Sequence, residues 1–279
     1  MIRVVLGGRL GNQMFKYAAG RRLALKHGVR LILDVSRYGL RNRGDYGLGY
    51  FPVAAKAESP LLSLICYKLT GRFLWQFGRS LYCESSHHYN PRVLSLPRSC
   101  TLMGQFQSEK YFHDISAMIR REFSFERISE SQQTREMSGL IRSTPSVSVH
   151  VRRGDYTGDK RYDVCSLEYY RKAMAYFREH DPKTVFYIFS DDLKGCAESF
   201  GSLDCRYCDV DQSQVNPVND MRLMSLCRHH IIANSSYSWW GAWLNASPDK
   251  RVLAPHIWFG GDDVPIADKL CEGWIPVVF

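Results

Sequence analysis

Apolar and polar positions alternate most regularly in the second half of the chain. SVSVHVR, residues 146–152, puts Val147, Val149 and Val151 on one face, the period-2 pattern of a strand. After a polar loop, Ser166 is a natural cap for a helix with Leu167, Tyr170, Met174 and Phe177 on one face. VFYIF (185–189) predicts an apolar strand ending in SDD, and a short helix near 193–200 follows. A strand around 203–210 then ends in DVDQ. Asn219 is placed to cap a helix carrying Leu223, Met224 and Cys227. HIIA (230–233) predicts a strand ending in NSSYS, a helix opens at Trp239 behind Ser238, and RVLA (251–254) is a last strand. Alternating strands and helices predict a doubly wound parallel sheet. RRGD, SDD, DVDQ and NSSYS each follow the carboxyl end of a strand, and in such a sheet those ends share the edge where ligands bind.

The first half opens the same way. IRVVL (2–6) is a strand, GGRLGNQ a glycine-rich turn, and a helix runs from about Asn12 to His27 with Gly28 closing it. LILD (31–34) is the next strand. Residues 38–99 show no readable period. A strand resumes near Met103, and SEKYFHDISAMIRREF (108–123) predicts one amphipathic helix with Phe112, Ile115, Ile119 and Phe123 on a face. QQTREMSGLIRSTP (132–145) is the candidate boundary, giving domains 1–143 and 144–279. The most apolar segment, residues 61–77, is interrupted by Lys68 and Arg72 and reads as a core helix, with a surface-lying amphipathic helix as the alternative.

Composition narrows the class. The 279 residues are 45% hydrophobic, enough for one large core or two modest ones. A formal charge of +9 suits an anionic ligand or an anionic membrane surface. Basic residues are scattered rather than gathered into an arm, which argues against nucleic acid as a partner. MIRVVLGG does not read as an export signal and no window reads as a membrane span, so a cytoplasmic protein is expected, its basic balance compatible with peripheral docking at an anionic inner membrane. The nine cysteines then read as cytosolic thiols, and CRYC (205–208), a lone CxxC within a strand, as structural.

Each polar cluster carries a chemistry and a plainer alternative. The glycines of GGRLGNQ allow close approach to a ligand, and the helix start behind them favours an anion; a tight turn with Asn12 as cap is the alternative. In HVRRGDY, Arg152 and Arg153 match phosphate oxygens bidentately and can neutralise a diphosphate without a metal; a salt-bridged strand end is the alternative. Asp155 is a general base or an arginine partner. NSSYSWWGAW offers hydroxyls and amides before a helix, a second anion cradle in which Ser236 and Ser238 can bind phosphate, or an ordinary cap at Ser238. Its tryptophans read as core. Ser190, Asp191 and Asp220 lie on the same expected edge, where one carboxylate can accept both donors of a guanine, while Asp192 reads as a helix cap. DVD (209–211) is a weak candidate for a divalent metal.

GGRLGNQMFKYA, QFQSEKYF, HVRRGDY, FSDD and ANSSYSWWGAWL occur in that order. Together they closely resemble the α-1,2-fucosyltransferase family across roughly the whole chain. The resemblance implies a GT-B-like α/β architecture of two Rossmann-type domains with parallel sheets facing a donor cleft. The first domain would be the acceptor side and the second the GDP-fucose-binding one. It implies an inverting, metal-independent galactoside α-1,2-fucosyltransferase, with GDP-fucose as donor, a galactose-terminated glycan as acceptor and no cofactor. The missing membrane anchor resembles bacterial members. Residue by residue, Arg152 resembles the arginine that grips the donor β-phosphate, supported by Arg153, and His150 a donor contact. Asp220 resembles the guanine-reading carboxylate, and Ser236 and Ser238, with Asn234 and Ser235 beside them, the phosphate ligands. Gly8, Arg9, Gly11, Asn12 and Gln13 resemble the amino-domain wall facing the donor. Asp155 is the first choice of base, followed by Glu109 and Asp34. The competing readings are a metal-dependent transferase built on DVD and a non-enzymatic nucleotide- or glycan-binding protein.

Overall fold

In the computed structural model two all-parallel sheets carry the chain. The structure describes residues 1–38, 46–58, 65, 68–70, 80–201, 205–208, 217–261 and 264–279. The first sheet holds β1 (Ile2–Val5), β2 (Leu31–Asp34), β3 (Lys56–Glu58), β4 (Leu81–Cys83) and β5 (Cys100–Met103) in the order β3-β2-β1-β5-β4. Helix α1 (Leu10–Lys26) links β1 to β2 and packs on both. It starts at Leu10 behind Arg9, so Asn12 lies inside its first turn and is not the expected cap. Gly28 closes it with φ +59°. The single helix expected over 108–123 is broken. Short 3-10 turns at Glu109–Tyr111 and His113–Ile115 precede α2 (Ser116–Glu122). The break falls at Phe112, which leaves helical backbone (φ −145°, ψ 14°) and buries its ring beside Phe15.

The second sheet holds β6 (Ser146–Val151), β7 (Val185–Ser190), β8 (Cys205–Tyr207), β9 (His229–Ile231), β10 (Val252–Pro255) and β11 (Ile275–Val277). Its order is β11-β10-β9-β6-β7-β8. The chain moves outward from β6 to one edge, returns to pair β9 against the other side of β6, and moves outward again. β6 is therefore buried at every position, including Ser146, Ser148 and His150 on the face opposite its valines. Among the described residues five helices accompany this sheet: α3 (Gln132–Arg142), α4 (Leu167–His180), α5 (Leu193–Phe200), α6 (Pro217–Leu226) and α7 (Ser236–Leu244). Ser166 caps α4 as expected, its hydroxyl accepting the Tyr169 N–H at 3.2 Å. Two expected starts are corrected. α6 begins at Pro217, ahead of Asn219, and α7 begins at Ser236 behind Ser235, not at Trp239 behind Ser238. Trp239, Trp240 and Trp243 are buried, as expected of core residues.

The chain divides into Met1–Ile128 and Ser129–Phe279. The division precedes α3 instead of following it at residue 143. α3 packs on α6 with Ile141 fully buried, and Glu130 pairs with Arg222 of α6. Of the apolar segment 61–77, the described residues Ile65 and 68–70 are helical, and Ile65 and Leu69 are exposed, against the core reading. The remainder of that segment, with Asp209 and Asp211 of DVD, lies outside the described residues. Cys205 and Cys208 are free thiols and burial pushes Cys208 well up, in keeping with a structural role. No helix among the described residues is long and apolar enough to cross a membrane.

A buried Ser–His–Asn chain pins the middle of the second sheet. Asn245 accepts the Ser247 N–H at 2.9 Å and donates to the Cys227 carbonyl at 2.8 Å, which fixes its amide orientation. Its remaining N–H points to His230 Nε2 at 2.9 Å, so that nitrogen accepts and Nδ1 carries the proton. Nδ1 then donates to Ser148 Oγ at 2.8 Å. A serine nucleophile needs the opposite polarity, so this chain joins β6, β9 and the end of α7 and performs no catalysis. Burial, with Lys250 and His229 adding to it, holds His230 well below the usual imidazole range. Burial, with neighbouring arginines, lowers His150 and His229 to about 4. Each takes up its proton more readily when unfolded, so their contribution to stability is intact above about pH 6.5 and is lost as pH falls toward 4. Calorimetry is expected to show Tm dropping over that interval. His230→Gln should lower Tm at neutral pH and flatten the acid drop. A variant with an undiminished acid drop would remove His230 from this role.

Candidate active site

In a doubly wound parallel sheet, ligands sit beyond the carboxyl ends of the strands where the winding direction reverses. In the second sheet that point lies between β6 and β9. HVRRGDY leaves β6 there and ANSSYS leaves β9, while SDD leaves β7 on the other side of β6.

The adjacent arginines are reconciled by register. Val151 of β6 lies opposite Ser190 of β7, so the next two positions set Arg152 and Arg153 against Asp191 and Asp192. Arg152 Nη1 meets Asp191 Oδ2 at 2.8 Å, and its guanidinium lies 5.3 Å from the Tyr156 ring centre. Asp191 Oδ1 accepts the Arg153 backbone N–H at 3.0 Å, so one carboxylate holds both residues. A Cβ at position 154 would lie 2.3 Å from Asp191 Oδ2, so the close approach requires Gly154. Arg153 turns away onto α5, donating to Ser199 Oγ at 2.9 Å, with its Nε 3.6 Å from Asp192 Oδ2. Its guanidinium braces the loop, while that of Arg152 stays on the carboxylate of Asp191. Asp192 caps α5, as expected, accepting the Gly195 N–H at 2.9 Å. Ser190 accepts the Asp192 N–H at 3.0 Å, a turn contact.

His150 is buried beside this pair, its ring 5.7 Å from that of Tyr237. Its Nδ1 has no hydrogen-bond partner. Burial, reinforced by Arg152 and opposed by Asp191, keeps the ring neutral at physiological pH, so it offers a hydrogen bond and not a charge. Burial and then Asp220 push the Tyr237 phenol well up, which puts Asp220 of α6 in electrostatic reach of the same corner. The hydroxyl-rich segment is less available than the sequence suggests. Asn234 donates to the Tyr162 and Trp258 carbonyls, both at 3.0 Å, and accepts the Cys165 thiol at 3.4 Å, acting as a strut. Ser235 caps α7 through the Tyr237 N–H at 3.3 Å. Ser238 is buried, donating to the Ser235 carbonyl at 3.2 Å. Ser236, half-buried in the first turn, keeps the more open position.

The first sheet reverses between β1 and β5. GGRLGNQ leaves β1 there and GQFQSE leaves β5. Asn12 accepts from Gln107 Nε2 at 2.7 Å, joining the two motifs. Gln13 is fully buried, donating to the Gly8 carbonyl at 3.0 Å and accepting the Gly47 N–H at 2.9 Å, so it supports the turn from within. Gly11 is buried in α1, and Arg9 is exposed at its start. Phe106 has φ 51°, rare for a bulky residue, and Glu84 holds the N–H groups of Gln105 and Phe106 at 2.6 and 3.2 Å. Of the expected bases, Asp34 is buried, its carboxylate held by Arg3 at 3.1 Å and by the Ser36 N–H at 3.0 Å. Glu109 lies 3.7 Å from His113. Asp155 belongs to the 3-10 turn Gly154–Tyr156, and its side chain lies outside the described residues. Sequence reasoning missed Tyr156, Tyr237, Lys16 and Glu84. The first two stood inside quoted motifs, and Lys16 stood out as the charge in the otherwise uncharged run MFKYAAG.

Two parallel-sheet units, one with a glycine turn and the other with a carboxylate-held arginine at the carboxyl end of a central strand, define an α/β protein. The chain belongs to glycosyl transferase family 11, whose model matches residues 70–262, and it is therefore a glycosyltransferase. It is 32% identical to the alpha-1,2-colitosyltransferase of Escherichia coli over 98% of this chain and 97% of that protein. It is 30% identical to the O-antigen biosynthesis glycosyltransferase WbnK of Escherichia coli, over 92% of this chain and 95% of that one. Human galactoside alpha-(1,2)-fucosyltransferase 1 is 28% identical over 88% of this chain and 66% of its own length.

Asp191→Asn keeps the side chain's shape and removes the charge that orients Arg152. Steady-state kinetics is expected to show kcat/KM falling roughly a hundredfold, the scale for a misplaced reacting group. Asp192→Ala removes a helix cap and should cost about 1 kcal/mol in denaturant unfolding. Unchanged turnover in the Asp191 variant would strip the Arg152–Asp191 pair of its orienting role.

Proposed function

We propose that the protein transfers L-fucose from GDP-β-L-fucose to the 2-hydroxyl of a terminal galactose, with inversion at the sugar's carbon 1. The observation that carries this reading is Arg152, held by Asp191 at the carboxyl end of β6, the strand that borders the reversal of the second sheet. Inversion is a single displacement. The acceptor oxygen forms its bond to carbon 1 opposite the departing GDP, and a base takes the hydroxyl proton. The charge that develops sits on the β-phosphate, and a preoriented guanidinium there lowers the barrier without a metal. His150, neutral and with an unpartnered nitrogen, supplies a hydrogen bond to the donor. Asp220 reads the guanine. Asp155 is the proposed base.

The similarity to an alpha-1,2-colitosyltransferase favours a second donor, GDP-colitose, whose sugar lacks the 3-hydroxyl of fucose. Incubation with each GDP-sugar and a panel of β-galactosides, followed by linkage analysis of the product, tests both. Transfer of fucose to the 2-hydroxyl, unchanged by chelator, is the expected result. Preference for colitose would replace the donor. Loss in chelator with recovery in manganese would favour a metal at DVD, and tight GDP binding without transfer to any acceptor would leave a binding protein.

A further inference from the structure

Arg152 has a second support, of a different kind from Asp191. Its guanidinium lies 5.3 Å from the centre of the Tyr156 ring. The Tyr156 ring lies 5.0 Å from that of Tyr162, with 31° between their planes. Tyr162 meets Phe259, from the loop after β10, in a T-shaped contact at 5.9 Å. The Arg161 guanidinium lies 5.8 and 5.4 Å from the Tyr162 and Phe259 ring centres, and the buried Lys269 lies 5.9 Å from that of Phe259. A row of rings therefore runs from Arg152, at the end of β6, to the loop beyond β10, two strands away in the sheet.

The row stands on a fixed backbone. The Arg153 carbonyl accepts the N–H groups of Tyr156 and Thr157 at 2.7 and 2.8 Å, and the Asp159 carbonyl accepts those of Tyr162 and Asp163 at 2.9 and 2.8 Å. Asp163 accepts the Gly158 N–H at 3.0 Å, where φ is +80°. Asn234, after β9, holds the Tyr162 and Trp258 carbonyls together, and the Gly260 N–H donates to the Arg161 carbonyl at 2.8 Å. A Cβ at position 260 would lie 2.1 Å from the Lys160 carbonyl oxygen, so this approach requires glycine. The loops after β6, β9 and β10 are thus tied into one support, and the Tyr156 ring carries it to Arg152.

A carboxylate and a ring act differently on a guanidinium. A carboxylate takes N–H donors from its edge and offsets its charge. An aromatic ring lies against the face, which carries no N–H, and leaves the charge in place. An ion pair fixes a nitrogen, whereas a ring against the face fixes the plane. We propose that Tyr156 and Tyr162 are positioning residues for Arg152. Tyr156 sets the guanidinium plane, and Tyr162, clamped by Asn234 and Phe259, keeps Tyr156 in place. What the guanidinium grips, an anionic diphosphate, rests on the proposed transfer; the stack itself does not.

The two are tested separately. In ¹⁵N-labelled free protein the Arg152 Nε–Hε resonance, assigned by its loss in Arg152→Gln, should carry a ring-current shift. Tyr156→Leu should remove that shift, Tyr156→Phe should keep it and Tyr162→Leu should reduce it. In calorimetric titration with GDP, Tyr156→Leu should weaken binding roughly three- to thirtyfold, the range of a cation–π contact. Tyr156→Phe should restore most of that loss, and Tyr162→Leu should weaken binding less. In an Arg152→Gln background, Tyr156→Leu should change GDP affinity by less than about twofold, because it acts through the missing guanidinium. In transfer assays Tyr156→Leu should lower kcat and leave the acceptor KM unchanged. An Arg152 resonance unmoved by Tyr156→Leu overturns the inference. So does an equal loss of GDP affinity with and without Arg152, or an effect confined to the acceptor KM, either of which would make Tyr156 a direct ligand contact. Failure of the wild type to bind GDP would sink the proposed function, while the Arg152 resonance still decides the stack.

Discussion

The Arg152–Asp191 ion pair depends on a register and not on a local sequence. Parallel pairing brings Val151 level with Ser190, and two arginines then run out of β6 beside two aspartates running out of β7. A slip of one residue would exchange faces along β6 and part the guanidinium from its carboxylate. The buried valines on one face and the Ser148–His230–Asn245 chain on the other hold that register in place. The site's electrostatics is in this sense a reading of the core. Gly154, which lets Asp191 come close, is the local concession that completes it.

The two units meet the same problem with different chemistry. Both reverse their winding between central strands, and both put a polar motif at the reversal. In the second unit a side chain provides the charge, and neighbouring carboxylates orient it. In the first, side chains hold the carbonyls of the glycine turn from within. Gln13 and Lys16 illustrate the second arrangement: both are buried, and both act through the peptide they bind.

Much of this was legible in the sequence. The alternation in SVSVHVR, the cap at Ser166 and the glycine after His27 all led to the elements observed, because each depends on local geometry. What escaped depended on tertiary contacts. β3 and β4 are three-residue strands, KAE and LYC, too short to show a period. NSSYS offers several equivalent caps, and only the packing of α7 selects Ser235. Asn234 looked like a ligand because its three partners lie far away in the chain. Arg152 and Arg153 are chemically identical in the sequence, and the strand register and the neighbouring helix decide which of them meets Asp191 and which meets Ser199.

The place of β6 also bears on how the second unit is made. It is the first strand of its sheet to leave the ribosome and lies in the middle when the sheet is complete. β7 and β8 cover one of its edges soon after. The other edge waits for β9, so a half-built sheet with an unpaired central edge must persist through the synthesis of α5 and α6. Contacts of such long sequence separation form slowly. An intermediate of this kind exposes the edge most prone to pair with a second nascent chain. Yield in a cell would then respond to elongation rate across residues 191–228 and to chaperones that shield strand edges, even where the finished protein is equally stable.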